Sequence, residues 1–295
     1  MTNLITVSNL VKRYNGTAVL DGVSLSVPAG CVTGLIGANG AGKTTTIRMI
    51  MGLSKPDAGD VVLLGEPFGP NADDATARRI KSRIGVVFDT CPFVGDLPVK
   101  TAGALMRAAF PESWRQGVFE DLLRQFDLDP KKRVKDLSRG MGMKLQLACA
   151  LAHDPDLLVL DEATAGLDPL ARDEILDLLR NFMASEQRGI LISSHITTDL
   201  EKIADRVVCI DKGRIAFDVE KDEITDLAGV AHCRTAEFER VRESDLFAGT
   251  APKNLRRAMS VDVLVPDRFE FAKRFPNIAC DRATIDDYLQ LMLEG

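Results

Sequence analysis

Gly37-Ala38-Asn39-Gly40-Ala41-Gly42-Lys43-Thr44 fits the pattern G-x-x-x-x-G-K-[ST], and its surroundings decide the fold. An apolar run over residues 31–36 leads into it, and a stretch of helical character from Thr45 to position 53 leads out. Strand before and helix after is the context in which such a loop works. Glycines let the backbone wrap until successive N–H groups point at phosphate oxygens, and the helix N-terminus adds the positive end of its dipole. Lys43 can then reach the outer phosphates, and the Thr44 hydroxyl can ligate Mg²⁺. Alone, the segment predicts a phosphate-binding loop on an α/β sheet and nothing narrower.

Outward from the loop, short apolar runs recur at 5–7, 23–27, 32–36, 61–64, 84–88, 157–160, 190–192 and 207–210. Several are apolar throughout, as strands covered on both faces of a parallel sheet tend to be. Helix-length stretches at 44–53, 75–81 and 169–185 alternate with them, which predicts an α/β fold with a mainly parallel sheet. Short polar turns among the first four runs predict an added antiparallel N-terminal subdomain. Residues 101–153 break the alternation with three helical patterns (101–110, 112–126 and 141–153), a helical insert spanning about 97–153. After residue 221 the character changes again. A strand at 261–265 and a closing helix with Ile285, Tyr288, Leu289 and Met292 on one face predict a small C-terminal α+β appendage over 222–295. Thr284 and Asp287 have the spacing of that helix's N-terminal cap.

Composition removes several classes. The 295 residues carry a formal charge of −6 with acids and bases interspersed, and aromatics are only 5%, so no nucleic-acid partner is expected. No run reaches the roughly 18 apolar residues of a membrane-spanning helix. The N-terminus lacks the order of a signal peptide, which predicts a cytoplasmic chain. Six cysteines without a C-x-x-C pair, beside three histidines, give no zinc pattern and read as buried thiols in a reducing compartment.

Residues 156–162, Asp-Leu-Leu-Val-Leu-Asp-Glu, put Asp161 and Glu162 at the C-terminal end of a buried strand, where open α/β sheets bind ligands. Asp161 is placed to help hold Mg²⁺, and Glu162 to orient or deprotonate an attacking water. The bland alternative, an acidic turn capping the next helix, loses ground once the phosphate loop stands beside it.

Three further segments narrow the reading: Leu137-Ser138-Arg139-Gly140-Met141, Gly166-Leu167-Asp168-Pro169, and Ile192-Ser193-Ser194-His195. In this order after the phosphate loop, they make residues 5–221 resemble the ABC ATPase family, within it the ATP-binding subunits of ABC transporters, and among those the ABC-2-type exporters. The resemblance implies ATP and Mg²⁺ as cofactors and hydrolysis of ATP. It implies Tyr14 stacked on adenine, Asn39 to Thr45 around the phosphates, and Glu162 and His195 as catalytic groups. Ser138 and Gly140 would meet the γ-phosphate held by a second subunit, and Asp168 would lie at the dimer interface. Separate transmembrane permease subunits would be the partners, the chain lying at the cytoplasmic face of the cell membrane as a homodimer or as a heterodimer with a related ATPase. A non-transport ATPase acting on DNA or ribosomes is the rival, without the coiled coils, zinc modules or second ATPase domain those types carry.

Three positions depart from the family pattern. Asp89 stands where glutamine usually bridges Mg²⁺ and the attacking water, and is expected there as a catalytic and metal-facing residue. Arg139 stands where glycine is common and Met141 where glutamine is usual. Arg139 either meets the opposing γ-phosphate or lies on the surface, and the sequence leaves both open.

Overall fold

The computed structural model describes residues 2–69, 72–247 and 251–295. Strands β1 (Asn3–Tyr14) and β2 (Thr17–Pro28) form a hairpin turned by Asn15-Gly16, both at positive φ (51° and 82°). That dipeptide adopts the left-handed conformation a tight hairpin turn requires. β3 (Val32–Ile36) follows, then α1 (Lys43–Ile50), β4 (Ala58–Leu63) and β5 (Glu66–Pro67). One antiparallel sheet runs β2-β1-β4-β5. Of the four early apolar runs, the first, second and fourth thus build the antiparallel region. The third, β3, leaves it for the parallel sheet.

Next come α2 (Asp74–Lys81), β6 (Ile84–Val87), α3 (Val99–Ala109), α4 (Gln116–Gln125), α5 (Arg139–Leu151), β7 (Leu157–Asp161), α6 (Pro169–Phe182), β8 (Gly189–Ser193), α7 (Thr197–Ile203), β9 (Arg206–Asp211) and β10 (Arg214–Glu220). The central sheet has the order β10-β9-β3-β8-β7-β6. Five strands run parallel, and β10 returns antiparallel on β9. β3, β7 and β8 are buried at every position, which is why their sequences run nearly continuously apolar instead of alternating, with Thr33, Asp161 and Ser193 as buried polar exceptions.

Consecutive side chains of these strands enter different cores. Val32, Leu158, Leu160, Ile190, Ile192 and Val207 face a core completed by α3 to α7. Leu35, Leu157, Val159, Leu191 and Val208 face the other, completed by α1 and the antiparallel sheet. The helical insert therefore packs on one face of the central sheet and the phosphate-loop helix on the opposite face.

The remaining elements are β11 (Gly229–Cys233), α8 (Thr235–Arg242), β12 (Asn254–Arg256), β13 (Val261–Val265), α9 (Arg268–Arg274), β14 (Cys280–Arg282) and α10 (Ile285–Glu294). Their strands form a third, antiparallel sheet in the order β12-β13-β11-β14. The cap predicted for the closing helix is present: Asp287 N donates to Thr284 Oγ1 at 3.0 Å, and Thr284 N donates to Asp287 Oδ2 at 3.1 Å. Helix α10 leans back on the central body. Ile285 N donates to Glu201 Oε1 of α7 at 2.8 Å, and the Tyr288 ring meets Phe217 of β10 edge-on at 5.0 Å.

All six cysteines are free thiols, and burial pushes Cys209 up to about 12. Among the described residues no helix is long and apolar enough to cross a membrane, and no group of three or more His, Cys, Asp or Glu side chains could hold a metal ion.

Candidate active site

The loop 37–44 turns from β3 into α1 under tight steric constraint. At Gly42, with φ 120°, a β-carbon would lie 2.5 Å from Leu20 Cδ2; at Gly37 one would lie 2.2 Å from the Ile210 carbonyl oxygen. Any side chain at either position would push the loop off the ends of β2 and β9. Gly42 caps α1, so the first-turn N–H groups of Lys43, Thr44 and Thr45 open toward a cavity of about 480 Å³.

The Lys43 side chain is only 6% exposed, and its Nζ donates to the Gly37 carbonyl at 2.7 Å. Its charge meets Glu162 Oε1 at 3.4 Å. Burying the ammonium is tolerable because carbonyls and a carboxylate replace its water. Glu162 itself sits one residue past β7 at φ 55°, a conformation that non-glycine residues rarely hold. Its N–H donates to Ser193 Oγ at 3.0 Å, which ties it to the end of the neighbouring strand β8. The other carboxylate oxygen, Oε2, lies 2.6 Å from His195 Nδ1. One carboxylate thus stands between an ammonium and an imidazole.

Asp161, 2% exposed, accepts from Ser193 Oγ at 2.7 Å and from Thr44 Oγ1 at 3.2 Å. A hydroxyl and a carboxylate this close are hard oxygen donors of the kind Mg²⁺ takes, with phosphate oxygens and waters completing its shell, so the residues fit that ion.

The structure brings nine of the sequence-predicted residues to this one cavity: Asn39, Gly40, Gly42, Lys43, Thr44, Thr45, Asp89, Glu162 and His195. Asp161 lies directly behind Thr44, and Ala41 is buried beneath the loop. The others stand apart. Tyr14 ends β1, 49% exposed, with Lys12 Nζ 5.2 Å from its ring centre. Ser138 caps α5 by accepting from Met141 N at 3.2 Å, and Asp168 caps α6 by accepting from Ala171 N at 3.0 Å. Gly140 packs on the turn before α6, where a β-carbon would fall 2.9 Å from Leu167 Cδ2.

Four lining residues escaped the sequence reading as part of this chain's own cavity: Val19, Arg139, Ala165 and Gly166. Arg139 does not lie idle on the surface, since its guanidinium pairs with Asp89. Gly166 was quoted within a motif but not as a wall of the site, and Val19 carries no sequence signal at all. Buried Gln146 of α5 also went unread: its Nε2 donates to the Phe88 carbonyl and its Oε1 accepts from Phe88 N, both at 3.0 Å.

Comparison with known proteins agrees with this geometry. A family profile described as ABC transporter matches residues 20–165. The Nod factor export ATP-binding protein I of Burkholderia orbicola (strain AU 1054) is 40% identical over 210 residues, 70% of this chain and 67% of that protein. The bacitracin transport ATP-binding protein BcrA of Bacillus licheniformis is 34% identical over 226 residues, 76% of this chain and 72% of the relative. Among solved structures, an ATP-binding subunit of an ABC transporter superposes with TM-score 0.67 at 30% identity, covering 75% of this chain and 91% of its own. A dimeric ATP-binding cassette bound to ADP and Pi gives the same score at 20% identity, covering 73% and 98%, and shares the fold.

Proposed function

The chain belongs to the ABC transporter family as an ATP-binding, ATP-hydrolysing subunit of exporter type, and we propose that it works as half of a head-to-tail pair whose closure on ATP drives separate membrane subunits. The observation that carries this reading is the convergence of Lys43, Thr44 with Asp161, and Glu162 with His195 on one cavity. Each does something hydrolysis requires. Lys43 and the α1 N–H groups neutralise phosphate charge. Thr44 and Asp161 would hold Mg²⁺, which when bound shields the β- and γ-oxygens. Glu162 takes the proton of the attacking water as that oxygen bonds to the γ-phosphorus and the bridging P–O bond to ADP breaks. His195 orients the Glu162 carboxylate from the side opposite Lys43.

Ser138 and Gly140 at the start of α5, and Asp168 capping α6, stand outside their own chain's cavity lining, in keeping with service at a partner's site. Tyr14, exposed at the end of β1, is available to an adenine ring. Such a pair would sit at the cytoplasmic face of the membrane, docked on permease subunits. Two relatives carry export or transport in their names, which supports export as the direction. Residues 222–295 form an accessory region in this reading, resting on the body through α10.

Glu162→Gln tests the pairing, because it keeps ATP binding and removes the proton acceptor. Size-exclusion chromatography with light scattering should find one 32.1 kDa chain without nucleotide and twice that mass with ATP. A chain that binds ATP yet stays single would overturn the homodimer.

A further inference from the structure

Two of the three departures from the family pattern touch each other. Asp89, just beyond β6, and Arg139, the first residue of α5, are fifty positions apart in the chain and form an ion pair in the cavity wall. Arg139 has a shaped seat there. Its Cδ and Nη1 lie 3.3 and 3.4 Å from where a β-carbon at Gly166 would stand, and Gly166 is at φ 73°. The side chain therefore lies across the turn before α6, and its guanidinium reaches Asp89. The Gln146 clamp holds the backbone of Phe88, the residue before Asp89, to the same helix. Three segments of the cavity mouth thus meet on one arginine.

Charge accounting within the cavity gives this contact a purpose. Each of two cations leans on an acid: Lys43 on Glu162 and Arg139 on Asp89. A polyphosphate entering such a site competes for both. Asp89 and Arg139 are each about half exposed (49% and 51%), and pairs so exposed are weak because water screens them. A phosphate offers the guanidinium fork a bidentate, charge-assisted contact that is stronger.

We propose that Arg139 is a phosphate-binding residue of its own chain's nucleotide site, and that Asp89 is its restraint, a positioning residue that holds the guanidinium at the cavity mouth until polyphosphate draws it off. The proposal rests on the ATP-site reading above and deepens it. Nucleotide entry would then free the first turn of α5, flanked by Ser138 and Gly140, from Asp89, while the Gln146 clamp keeps Phe88 on the helix. Asp89 acts here through Arg139 instead of through a metal.

The test is calorimetric titration of dilute, monomeric full-length protein with ATP in EDTA, so that neither metal nor hydrolysis contributes. Asp89→Asn should tighten ATP binding about two- to five-fold, the worth of one exposed pair. Arg139→Gln should weaken it about five- to ten-fold, and Arg139→Lys, keeping the charge without the fork, should fall between. Above all, D89N should change nothing in the R139Q background. Wild-type affinity in R139Q, unchanged or weaker binding in D89N, or effects that add independently would each overturn the latch while leaving the ATP site intact. Wild-type protein that binds no ATP would overturn the site reading and the latch with it. Circular dichroism of each variant keeps misfolding from being mistaken for lost affinity.

Discussion

Replacing Gln146 by methionine removes one amide and little else, because methionine matches its length and tolerates an irregular pocket. The amide satisfies both backbone groups of Phe88, which lies one residue past the last ladder pair of the edge strand β6, Val87 with Leu160. No neighbouring strand is available there to take over. Two lost hydrogen bonds are worth about 0.5–1.5 kcal/mol each, and leaving their partners partly desolvated raises the cost, so about 2–4 kcal/mol is expected. The single tryptophan, Trp114, packs in the helical insert with its ring 5.3 Å from that of Phe119 and gives a fluorescence signal for this region. With a urea m-value of about 3 kcal/mol/M, the unfolding midpoint should fall by about 1 M. Gln146→Glu keeps the acceptor for Phe88 N, loses the donor to Phe88 O and buries a charge, and should cost at least as much. A Q146M midpoint within about 0.2 M of wild type would refute the idea that this side chain fastens β6 to α5.

Two further substitutions probe other parts of the molecule. Gly103→Ala places a β-carbon 2.3 Å from Phe119 Cε1 between α3 and α4, and should destabilise by about 1–3 kcal/mol, read as a lowered Tm; an unchanged Tm would mean the insert is looser than its packing shows. His232, on β11, is held above its ordinary range by Asp262 at 2.7 Å and then by Asp281 at 3.3 Å, with burial opposing. A raised folded-state pKa gives stability that is fully present below the unfolded value, about 6.5, and is lost as pH rises through the folded one. The Tm difference between wild type and His232→Gln should therefore shrink as pH is raised from about 6 toward alkaline values, and a difference that grows instead would break the argument.

The sequence made the phosphate loop and the carboxylate strand legible because their chemistry demands particular residues at fixed local spacing. The strands 32–36, 157–160 and 190–192 could be read because burial on both faces leaves them almost wholly apolar, Thr33 being the one polar side chain among them. The three helices of the insert showed through their periodicity, and the cap at Thr284 through its three-residue spacing. The strands β5, β10, β11, β12 and β14 were missed. Charged residues at Arg214, Asp218 and Glu220 break up the apolar run of β10, and β5, β12 and β14 are only two or three residues long. Asp89 with Arg139, and Gln146 with Phe88, were beyond reach for a different reason. Their partners lie 50 and 58 positions away, and only the packing of α5 against β6 joins them.

The central sheet acts as a partition. Leu157 and Leu158 are neighbours in the chain, yet one packs with the phosphate-loop helix α1 and the other with the insert helix α5. Sequence drift on one side of such a wall is largely hidden from the other, since the shared backbone ladder does not depend on side-chain identity. Repacking among the helices of the insert can then leave the glycine loop in the shape that phosphate demands. The two cores are insulated from each other a few ångströms apart, on alternate residues of the same strands.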